Sequence, residues 1–549
     1  MTARKSSLDL GRSSFDRRAW GDAFDALARA EGDAPLDRDD LERLAWAAAL
    51  RGSDEGFLGA LERLHKACVV ANETRRAARA AFWIGFRLVS LGGASGAAWL
   101  ARAARLVEAE KEPCAERGYL LVPTAYRHLA AGEDAHAERA AREAGAIGET
   151  CGDRDLVALA RQIEGRALLR QGRIDAGLAV LDEVMLSVTS DELMPLVTGF
   201  VYCQCIACCQ EVCAIDRTRE WTAALARWCK DQAELVTFTG ICLVHRVAIM
   251  QLGGAWREAM RDIEELTSRE NMGDPEIVGD AWYQRGELLR LRGDIVGAEK
   301  AYRLASENGR EPQPGLALLR LLQGEGDAAA STMERVLSTT SAKWERARLL
   351  PAFVEIMLAT GRIEDARTAS RELEDIACEM GTEILGAMAA QARGAVAIAE
   401  GEHRAAVEPL RRASAIWNHA GVPYIAARIR VLLARVFLEL GDRDGAELER
   451  SAARKVFEEL GAAPDLAALD APHEVGGPQA RGAPPKHGLS KRELEVLRLL
   501  ASGKTNKAIG KELYLSERTI DRHVSNIFAK IDVGTRAAAT AFAYEKGLL

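Results

Sequence analysis

The chain has 549 residues, of which 48% are hydrophobic and 28% are charged, so it supplies a large core and extensive disorder is excluded. The formal net charge is −8, but residues 489–549 hold 11 Lys or Arg against 7 Asp or Glu; this segment therefore carries +4 and the rest −12. A basic tail on an acidic body predicts that nucleic acid contacts the tail alone.

Neither export nor membrane insertion is indicated. Residues 1–18 are polar and contain no apolar stretch before a cleavage site, and no segment reaches the roughly 18 apolar residues that span a bilayer. We therefore expect a cytoplasmic protein without membrane contact. Eleven cysteines at irregular spacing then predict reduced thiols rather than a disulfide framework.

Glycines recur over the first 460 residues, mostly 40 positions apart. The series is Gly52, Gly92, Gly132, Gly172, Gly253, Gly293, Gly324, Gly361, Gly401 and Gly441. Near position 212 the chain has Val212 and Cys213 instead, and Gly324 and Gly361 come early. A period of this length is typical of solenoids, and glycine can end a helix in the left-handed conformation.

Small residues stand five positions after these glycines. They are Ala97, Ala137, Gly177, Ala298, Ala329, Ala366, Ala406 and Ala446. A small residue one turn into a helix lets two helices approach closely. Apolar residues between the glycines keep helical spacing, as Val354, Met357 and Leu358 do. The pattern predicts stacked helical hairpins.

One unit resembles the tetratricopeptide repeat. The residues that carry the resemblance are Trp282, Gly286, Leu289, Gly293, Ala298, Tyr302 and Ala305. We therefore predict an all-α fold in which residues 1–461 form a tetratricopeptide-like solenoid, with about ten or eleven hairpins over residues 10–460. Such a solenoid presents a long concave surface, which favours a protein, peptide or small-molecule partner.

Five cysteines cluster on one predicted helix: Cys203, Cys205, Cys208, Cys209 and Cys213. Packing in the solenoid core is the favoured interpretation. A metal or redox sensor is the alternative, and it would need a further group such as Cys229, Cys242 or His245, since the spacing is not that of a zinc site. Tryptophans such as Trp256, Trp282 and Trp417 are interpreted as packing between helices.

No catalytic or cofactor-binding motif is present, so we expect neither an enzyme nor a bound cofactor or metal. Gly503, Lys504 and Thr505 imitate the end of a phosphate-binding loop, but Arg498 stands where its first glycine is required. Residues 462–488 contain five prolines and four glycines and predict a semi-flexible linker. The linker separates the solenoid from a third domain, residues 489–549.

This third domain is predicted to contain four short helices. Ser490 and Glu493 form a capping box for the first, Gly503 ends it, Thr505 caps the second, and Ser516 caps the third. The fourth is expected over about residues 536–545.

The third of these helices has two distinct faces. Its apolar face consists of Ile520, Val524, Ile527 and Ile531, and the opposite face of Arg518, Arg522, Ser525 and Ala529, with Asn526 at the border. An arginine can donate two hydrogen bonds to guanine, and small polar neighbours allow close approach to the bases. The pattern is typical of the second helix of a helix-turn-helix.

The same region resembles the LuxR-type DNA-binding domain. The matching residues include Leu489–Glu493, Leu497, Gly503, Asn506, Lys507, Ile509, Leu513, Ser516, Thr519, Ile520, His523, Ile527, Lys530, Val533 and Arg536. The resemblance implies base contacts by Asp521, Arg522 and Ser525, to which the helix face adds Arg518 and Asn526. It implies phosphate contacts by Thr505, Asn506, Lys507 and Thr519, to which we add Lys504.

Two positions depart from that family. Asp521 stands where many members have Lys, and Gly510 stands where Ala is usual. Asp521 could accept a hydrogen bond from cytosine N4 or orient Arg522. His523, near the buried edge, is interpreted as a packing residue or a backbone contact.

The sequence thus predicts a bacterial transcription regulator that binds double-stranded promoter DNA and forms a homodimer. The resemblance to the LuxR-type domain implies that the last helix is the dimer contact. RNA polymerase is a possible further partner. A repeat-protein scaffold or adaptor with secondary DNA binding is the alternative.

Overall fold

The computed structural model describes residues 2–108, 110–232, 239–268, 275–470, 489, 491–513, 515–531, 533–546 and 548. Across these residues all the regular secondary structure is helical, in 29 helices, and no strand occurs. The predicted all-α class is confirmed. In the same ranges no helix combines the length and apolar character needed to cross a membrane.

In the described parts of residues 2–460, twelve antiparallel hairpins follow one another. The first six pair α1 (Thr2–Asp16) with α2 (Trp20–Asp33), α3 (Arg38–Arg51) with α4 (Asp54–Val70), α5 (Thr74–Ser90) with α6 (Gly96–Glu108), α7 (Ala115–Ala130) with α8 (Asp134–Cys151), α9 (Arg154–Arg170) with α10 (Ile174–Thr189), and α11 (Pro195–Glu211) with α12 (Ile215–Asp231).

The other six pair α13 (Thr239–Leu252) with α14 (Trp256–Thr267), α15 (Pro275–Arg292) with α16 (Ile295–Glu307), α17 (Gly315–Leu322) with α18 (Gly326–Thr339), α19 (Lys343–Ala359) with α20 (Ile363–Met380), α21 (Glu383–Ala399) with α22 (His403–His419), and α23 (Pro423–Glu439) with α24 (Arg443–Leu460). One more helix, α25 (Ala463–Asp470), packs against α24 and α15. The predicted solenoid of stacked hairpins is confirmed.

The hairpin count exceeds the prediction of ten or eleven because two turns lack glycine. Arg18, with φ 60°, makes the left-handed turn of the first hairpin, and Cys213, with φ 57°, makes that of the sixth. Glycine adopts this conformation at least cost, but other residues can adopt it singly. In the seventh hairpin the left-handed residue is Gly254, with φ 85°, rather than Gly253.

Close helix approach depends on the predicted small residues, with one correction. Ala298 and Ala406, for example, are fully buried, whereas Ala97 is exposed and Gly96 is buried in its place. The reason is that α6 begins four residues after its turn glycine, whereas α16 begins two residues after its own. A Cβ atom on Gly96 would lie 2.8 Å from the Val89 amide nitrogen.

The superhelix is wound tightly enough for distant hairpins to touch. Arg18 donates a 3.0 Å hydrogen bond to Asp191, and α11 packs against α3. The ring of Phe200 lies 5.9 Å from that of Phe86 and 6.4 Å from that of Tyr126, between ring centroids. The sixth hairpin therefore contacts the second, third and fourth hairpins as well as its neighbours along the chain.

Helices α13–α15 pack against α23–α25, which lie far later in the chain. Trp256 and Phe457 are both buried in the shared apolar cluster, and the ring of Trp256 lies 5.3 Å from that of Tyr424. Trp417 is also fully buried, and Trp282 packs against the Tyr302 cluster. These tryptophans serve packing between helices, as the sequence predicts.

The first part of the predicted linker is helical. Residues 463–470 form α25, Leu469 is buried, and Asp465 accepts a 3.1 Å hydrogen bond from the Tyr424 hydroxyl. The proline and glycine content suggested otherwise, but Pro464 occupies the first turn of α25, where a proline costs no hydrogen bond. Residues 471–488 lie outside the described residues.

The cysteine cluster lies in the solenoid core. Cys205, Cys208 and Cys209 are fully buried among apolar side chains, and burial raises the pKa of each thiol above its ordinary value. Unreactive, buried thiols are what packing requires. In the described ranges no group of three or more His, Cys, Asp or Glu is arranged to hold a metal ion.

We expect His245 to make the solenoid sensitive to acid. It is 6% exposed, and neither ring nitrogen has a hydrogen-bond partner among the described residues. Burial lowers its pKa to about 4 from the ordinary 6.5. Because the folded state favours the neutral ring, this stability is complete above pH 6.5 and is lost as the pH falls towards about 4.

Between about pH 7 and about pH 5 the free energy of unfolding should fall in both the wild type and the His245→Leu variant. We expect the fall to be about 2 kcal/mol smaller in the variant. Urea denaturation at the two pH values measures the difference. His419→Leu is the control, since His419 is exposed. An equal loss in all three proteins would contradict the burial of a neutral ring.

Candidate nucleic-acid interface

The C-terminal residues form the four predicted helices. They are α26 (Lys491–Ala501), α27 (Asn506–Leu513), α28 (Glu517–Lys530) and α29 (Arg536–Glu545). The hydroxyl of Thr505 accepts a hydrogen bond from the Ala508 amide at 3.2 Å, and that of Ser516 accepts one from the Thr519 amide at 3.1 Å. Both predicted caps are confirmed. Gly503 adopts the left-handed conformation, with φ 87°, after the end of α26, as predicted. Ser490 lies outside the described residues.

The turn between α27 and α28 explains one departure from the family pattern. The Leu515 amide donates a 2.9 Å hydrogen bond to the Gly510 carbonyl. A Cβ atom on Gly510 would lie only 2.8 Å from the Leu515 carbonyl oxygen. An alanine would therefore require the backbone of this turn to shift, and glycine suits this chain.

Helix α28 separates its apolar and polar faces as predicted. Ile520 and Ile527 are fully buried between the helices of the domain. Arg518 and Arg522 are exposed, as are Ser525 and Asn526. Within the described part of the chain neither arginine has an ion-pair partner, so both guanidinium groups are available. The side chain of Ala529 lies outside the described part of the structure.

Asp521 is held by the neighbouring helix. Its carboxylate accepts a 2.7 Å hydrogen bond from the Asn506 side-chain amide, and the Asn506 carbonyl oxygen accepts a 3.0 Å bond from Arg536. Of the two roles suggested for Asp521, the orientation of Arg522 is not observed. The contact instead fixes the start of α27 against α28, and the sequence did not indicate it.

The five residues predicted to contact phosphate fall into two groups. Thr505 and Lys507 are exposed at the start of α27, Lys504 forms an ion pair with Glu512, and Asn506 is bonded to Asp521 and Arg536. Thr519 is different, because it is 5% exposed. The structure therefore brings residues 504–507 together at a solvent-facing edge, whereas Thr519 is covered.

The solenoid covers Thr519. The Thr519 hydroxyl donates a 2.9 Å hydrogen bond to Oδ1 of Asp442, in the turn between α23 and α24. Asp442 is itself 4% exposed and accepts a 2.9 Å bond from the Gly445 amide, so it also caps α24. No local sequence pattern indicates this role for Asp442.

Further contacts join the two domains. Arg404 of α22 forms an ion pair with Glu495 of α26. A Cβ atom on Gly441 would lie 3.6 Å from both Arg492 Cγ and His523 Nε2. Buried apolar residues of α21–α24 and α26–α29 belong to one continuous cluster. His523 does pack as predicted, but partly against another domain.

Burial at this interface shifts several pKa values. Desolvation lowers the pKa of His523, and the nearby Arg492 and Arg522 add to this effect. Desolvation also lowers the pKa of Arg492. Burial alone would raise the pKa of Glu495, but hydrogen bonds from Arg404 and Arg492 outweigh it and leave the pKa below its ordinary value. The interface therefore favours a neutral His523 and an ionised Glu495.

Comparison with known proteins identifies this domain. Residues 487–543 match the model of a family described as bacterial regulatory proteins, luxR family. The C-terminal domain is a LuxR-type helix-turn-helix. Helix α28 is the second helix of this helix-turn-helix, the place that a recognition helix occupies in such domains. The resemblance to the LuxR-type domain inferred from the residues is confirmed.

The relatives of the LuxR-type domain are transcription regulators. The transcriptional regulatory protein LiaR of Bacillus subtilis is 46% identical over 65 residues, 12% of this chain and 31% of that protein. DegU of Brevibacillus brevis is 40% identical over 74 residues, 14% of this chain and 31% of that protein. The probable transcriptional regulatory protein NarL of Mycobacterium tuberculosis is 42% identical over 83 residues, which are 14% of this chain and 38% of that protein. The chain thus spans about a third of the length of these curated relatives.

Solved structures include a match that extends over the solenoid. The crystal structure of the APC/C hetero-tetramer Cut9-Hcn1 covers 86% of this chain and 95% of its own, at 12% identity and a TM-score of 0.43.

Proposed function

We propose that the protein is a cytoplasmic transcription regulator that binds double-stranded promoter DNA through its LuxR-type domain. One observation carries the proposal: α28 exposes Arg518 and Arg522 while its opposite face is buried by Ile520 and Ile527. A short helix of this kind fits the major groove, where paired arginine hydrogen bonds select guanine.

The remaining site residues have separate roles in this proposal. Ser525 and Asn526 contact bases beside the arginines, and Asp521, held by Asn506, accepts from cytosine N4 at the edge of the groove. Lys504, Thr505 and Lys507 contact phosphates and set the position of the domain on the duplex.

We also propose that the protein binds DNA as a homodimer through α29. Tyr544 on this helix is 67% exposed. An exposed aromatic side chain on the last helix supports pairing of two such helices, and paired domains would bind two half-sites about one DNA turn apart.

The solenoid is proposed to bind the regulatory partner. A cavity of about 680 Å³ lies at the amino-terminal ends of α7, α9 and α11. Arg79 contributes a guanidinium bonded at 2.9 Å to both Glu116 and Asp153, and burial raises the pKa of the adjacent Asp155. This charged lining supports a polar partner rather than an apolar one.

Selection from a random duplex library with the full chain tests DNA binding. We expect one sequence class to be enriched, and its affinity to fall linearly with salt on a double-logarithmic plot. Scrambled duplexes of the same composition are the control. Retention of all duplexes alike would contradict the proposal and favour the scaffold alternative.

A further inference from the structure

The solenoid covers the amino-terminal end of α28, the helix that the proposed function places in the major groove. Thr519, in the first turn of α28, is 5% exposed, and its hydroxyl is bonded to the carboxylate of Asp442 at 2.9 Å. Asp442 lies 77 positions earlier, in the last hairpin turn. By contrast, Arg518 and Arg522 remain exposed on the next face of the same helix.

The chemistry of this contact resembles that of a DNA phosphate. The first turn of a helix has free amide groups and the positive end of the helix dipole, so it attracts anions. The same end of a recognition helix enters the major groove between the phosphate chains. A carboxylate offers what a phosphate offers, which is a negative charge and acceptor oxygens. Asp442 therefore satisfies Thr519 from within the chain.

We propose that the turn containing Asp442 competes with DNA for the start of α28, so that the structure is a closed form of the regulator. This inference rests on the proposed function, because it assumes that α28 binds DNA. In the closed form the acidic solenoid, whose residues 1–461 carry a net charge of −11, stands at the edge of the groove-binding helix. DNA and the solenoid cannot both occupy that position.

Several contacts besides Asp442 hold the closed form. Arg404 is paired with Glu495 across the interface. Gly441, with φ 84°, places its backbone against Arg492 and His523 without a side chain between them. The interface therefore involves both α26 and α28, and opening it requires the whole domain to move away from the last two hairpins.

The closed form also leaves polar atoms unsatisfied, which favours reversibility. Arg492 Nε and His523 Nε2 are buried without a hydrogen-bond partner in the described structure. Buried, unbonded nitrogens are costly, and separation of the domains would expose both to water. A partner that binds the last hairpins more tightly in the open form would therefore raise the affinity for DNA.

The substitution Asp442→Ser tests the contact without removing the helix cap. Serine caps a helix about as well as aspartate, but its shorter, neutral side chain cannot replace the charged acceptor for Thr519. Asp294 is a matched control, because it follows a left-handed glycine and caps α16 by accepting a hydrogen bond of the same length, 2.9 Å, from the Gly297 amide. Asp294→Ser makes the same change of charge and of capping residue as Asp442→Ser, but in a different hairpin.

A second pair of variants tests the same interface through surface residues. Arg404→Glu places two carboxylates opposite each other, at Glu495, and should open the interface. Arg412→Glu is the control, since Arg412 is exposed on the same helix, two turns further on. Both variants make the protein more acidic, so an increase in DNA affinity for Arg404→Glu alone cannot arise from net charge.

Fluorescence anisotropy of a short labelled duplex, selected as described above, measures the affinity of each full-length protein. We expect Asp442→Ser and Arg404→Glu to bind about tenfold more tightly than the wild type, and Asp294→Ser and Arg412→Glu to bind no more tightly than it. Because closure weakens binding to every duplex by one factor, the ranking of sequences should not change.

The outcomes separate the inference from the proposed function. If all five proteins prefer the selected duplex with equal affinity, the DNA-binding function stands and the competition is wrong. If none of them prefers any duplex to a scrambled one, the proposed function itself fails. If the Asp294→Ser control also binds more tightly, the gain comes from charge or altered stability, and the competition is wrong.

Discussion

Arg522→Ala is expected to weaken the sequence preference of the protein strongly while leaving its fold intact. Arg522 is exposed on α28, opposite the buried Ile520, so its removal creates no cavity. A paired arginine–guanine contact is worth about 1–3 kcal/mol of discrimination, so the affinity ratio between selected and scrambled duplexes should fall about tenfold to a hundredfold. Anisotropy titrations with the two duplexes measure that ratio.

Lys507→Ala provides the matched control. Lys507 is exposed at the start of α27 and is predicted to contact phosphate. Its removal should weaken binding to all duplexes by a similar factor and reduce the salt slope by about 1, with the sequence ratio unchanged. An unchanged ratio for Arg522→Ala would mean that another face of α28 contacts the bases. Since the ratio compares two duplexes on one protein, closure of the domains does not affect it.

Trp256→Ala is expected to cause the largest loss of stability, about 3–5 kcal/mol. Trp256 is 1% exposed, and its ring packs against Tyr424 from a hairpin far along the chain. Its indole NH also donates a 2.9 Å hydrogen bond to the Gln251 carbonyl. The substitution leaves a cavity where α13–α15 meet α23–α25, and urea denaturation followed by circular dichroism measures the shift in midpoint.

Trp282→Ala serves as the comparison, since Trp282 lies in the next hairpin but is only partly buried. Its ring contacts the guanidinium of Arg285, 5.2 Å from the ring centroid. We expect a clearly smaller loss for this variant. Equal losses in the two variants would show that the contact between α13–α15 and α23–α25 adds little to stability. A separate, earlier unfolding transition in Trp256→Ala would show that these helices unfold before the rest of the solenoid.

Local sequence patterns predicted the DNA-binding domain almost completely. The caps at Thr505 and Ser516, the left-handed Gly503 and the two faces of α28 all follow from residues within about one helical turn of each other. The structure confirms these features. The contacts of the site residues with DNA stay predictions, because they depend on a partner.

The hairpins of the solenoid were predictable for the same reason, and the errors have local causes. Arg18 and Cys213 adopt the conformation that the glycine pattern used as its marker, so two turns carried no signal. Residues 463–470 form a helix because Leu469 and Asp465 gain contacts with α15, α23 and α24, which composition alone does not show.

Residues close together in the chain specify the helix-turn-helix, its exposed arginines and the succession of hairpins, since these features depend on helical period and on capping. Only the assembled fold brings α11 to α3, Trp256 to Tyr424, and Asp442 to Thr519. Those contacts depend on the small rotation between successive hairpins, which accumulates over the whole solenoid. No local sequence pattern encodes this accumulated rotation, yet the rotation determines which part of the solenoid covers the start of α28.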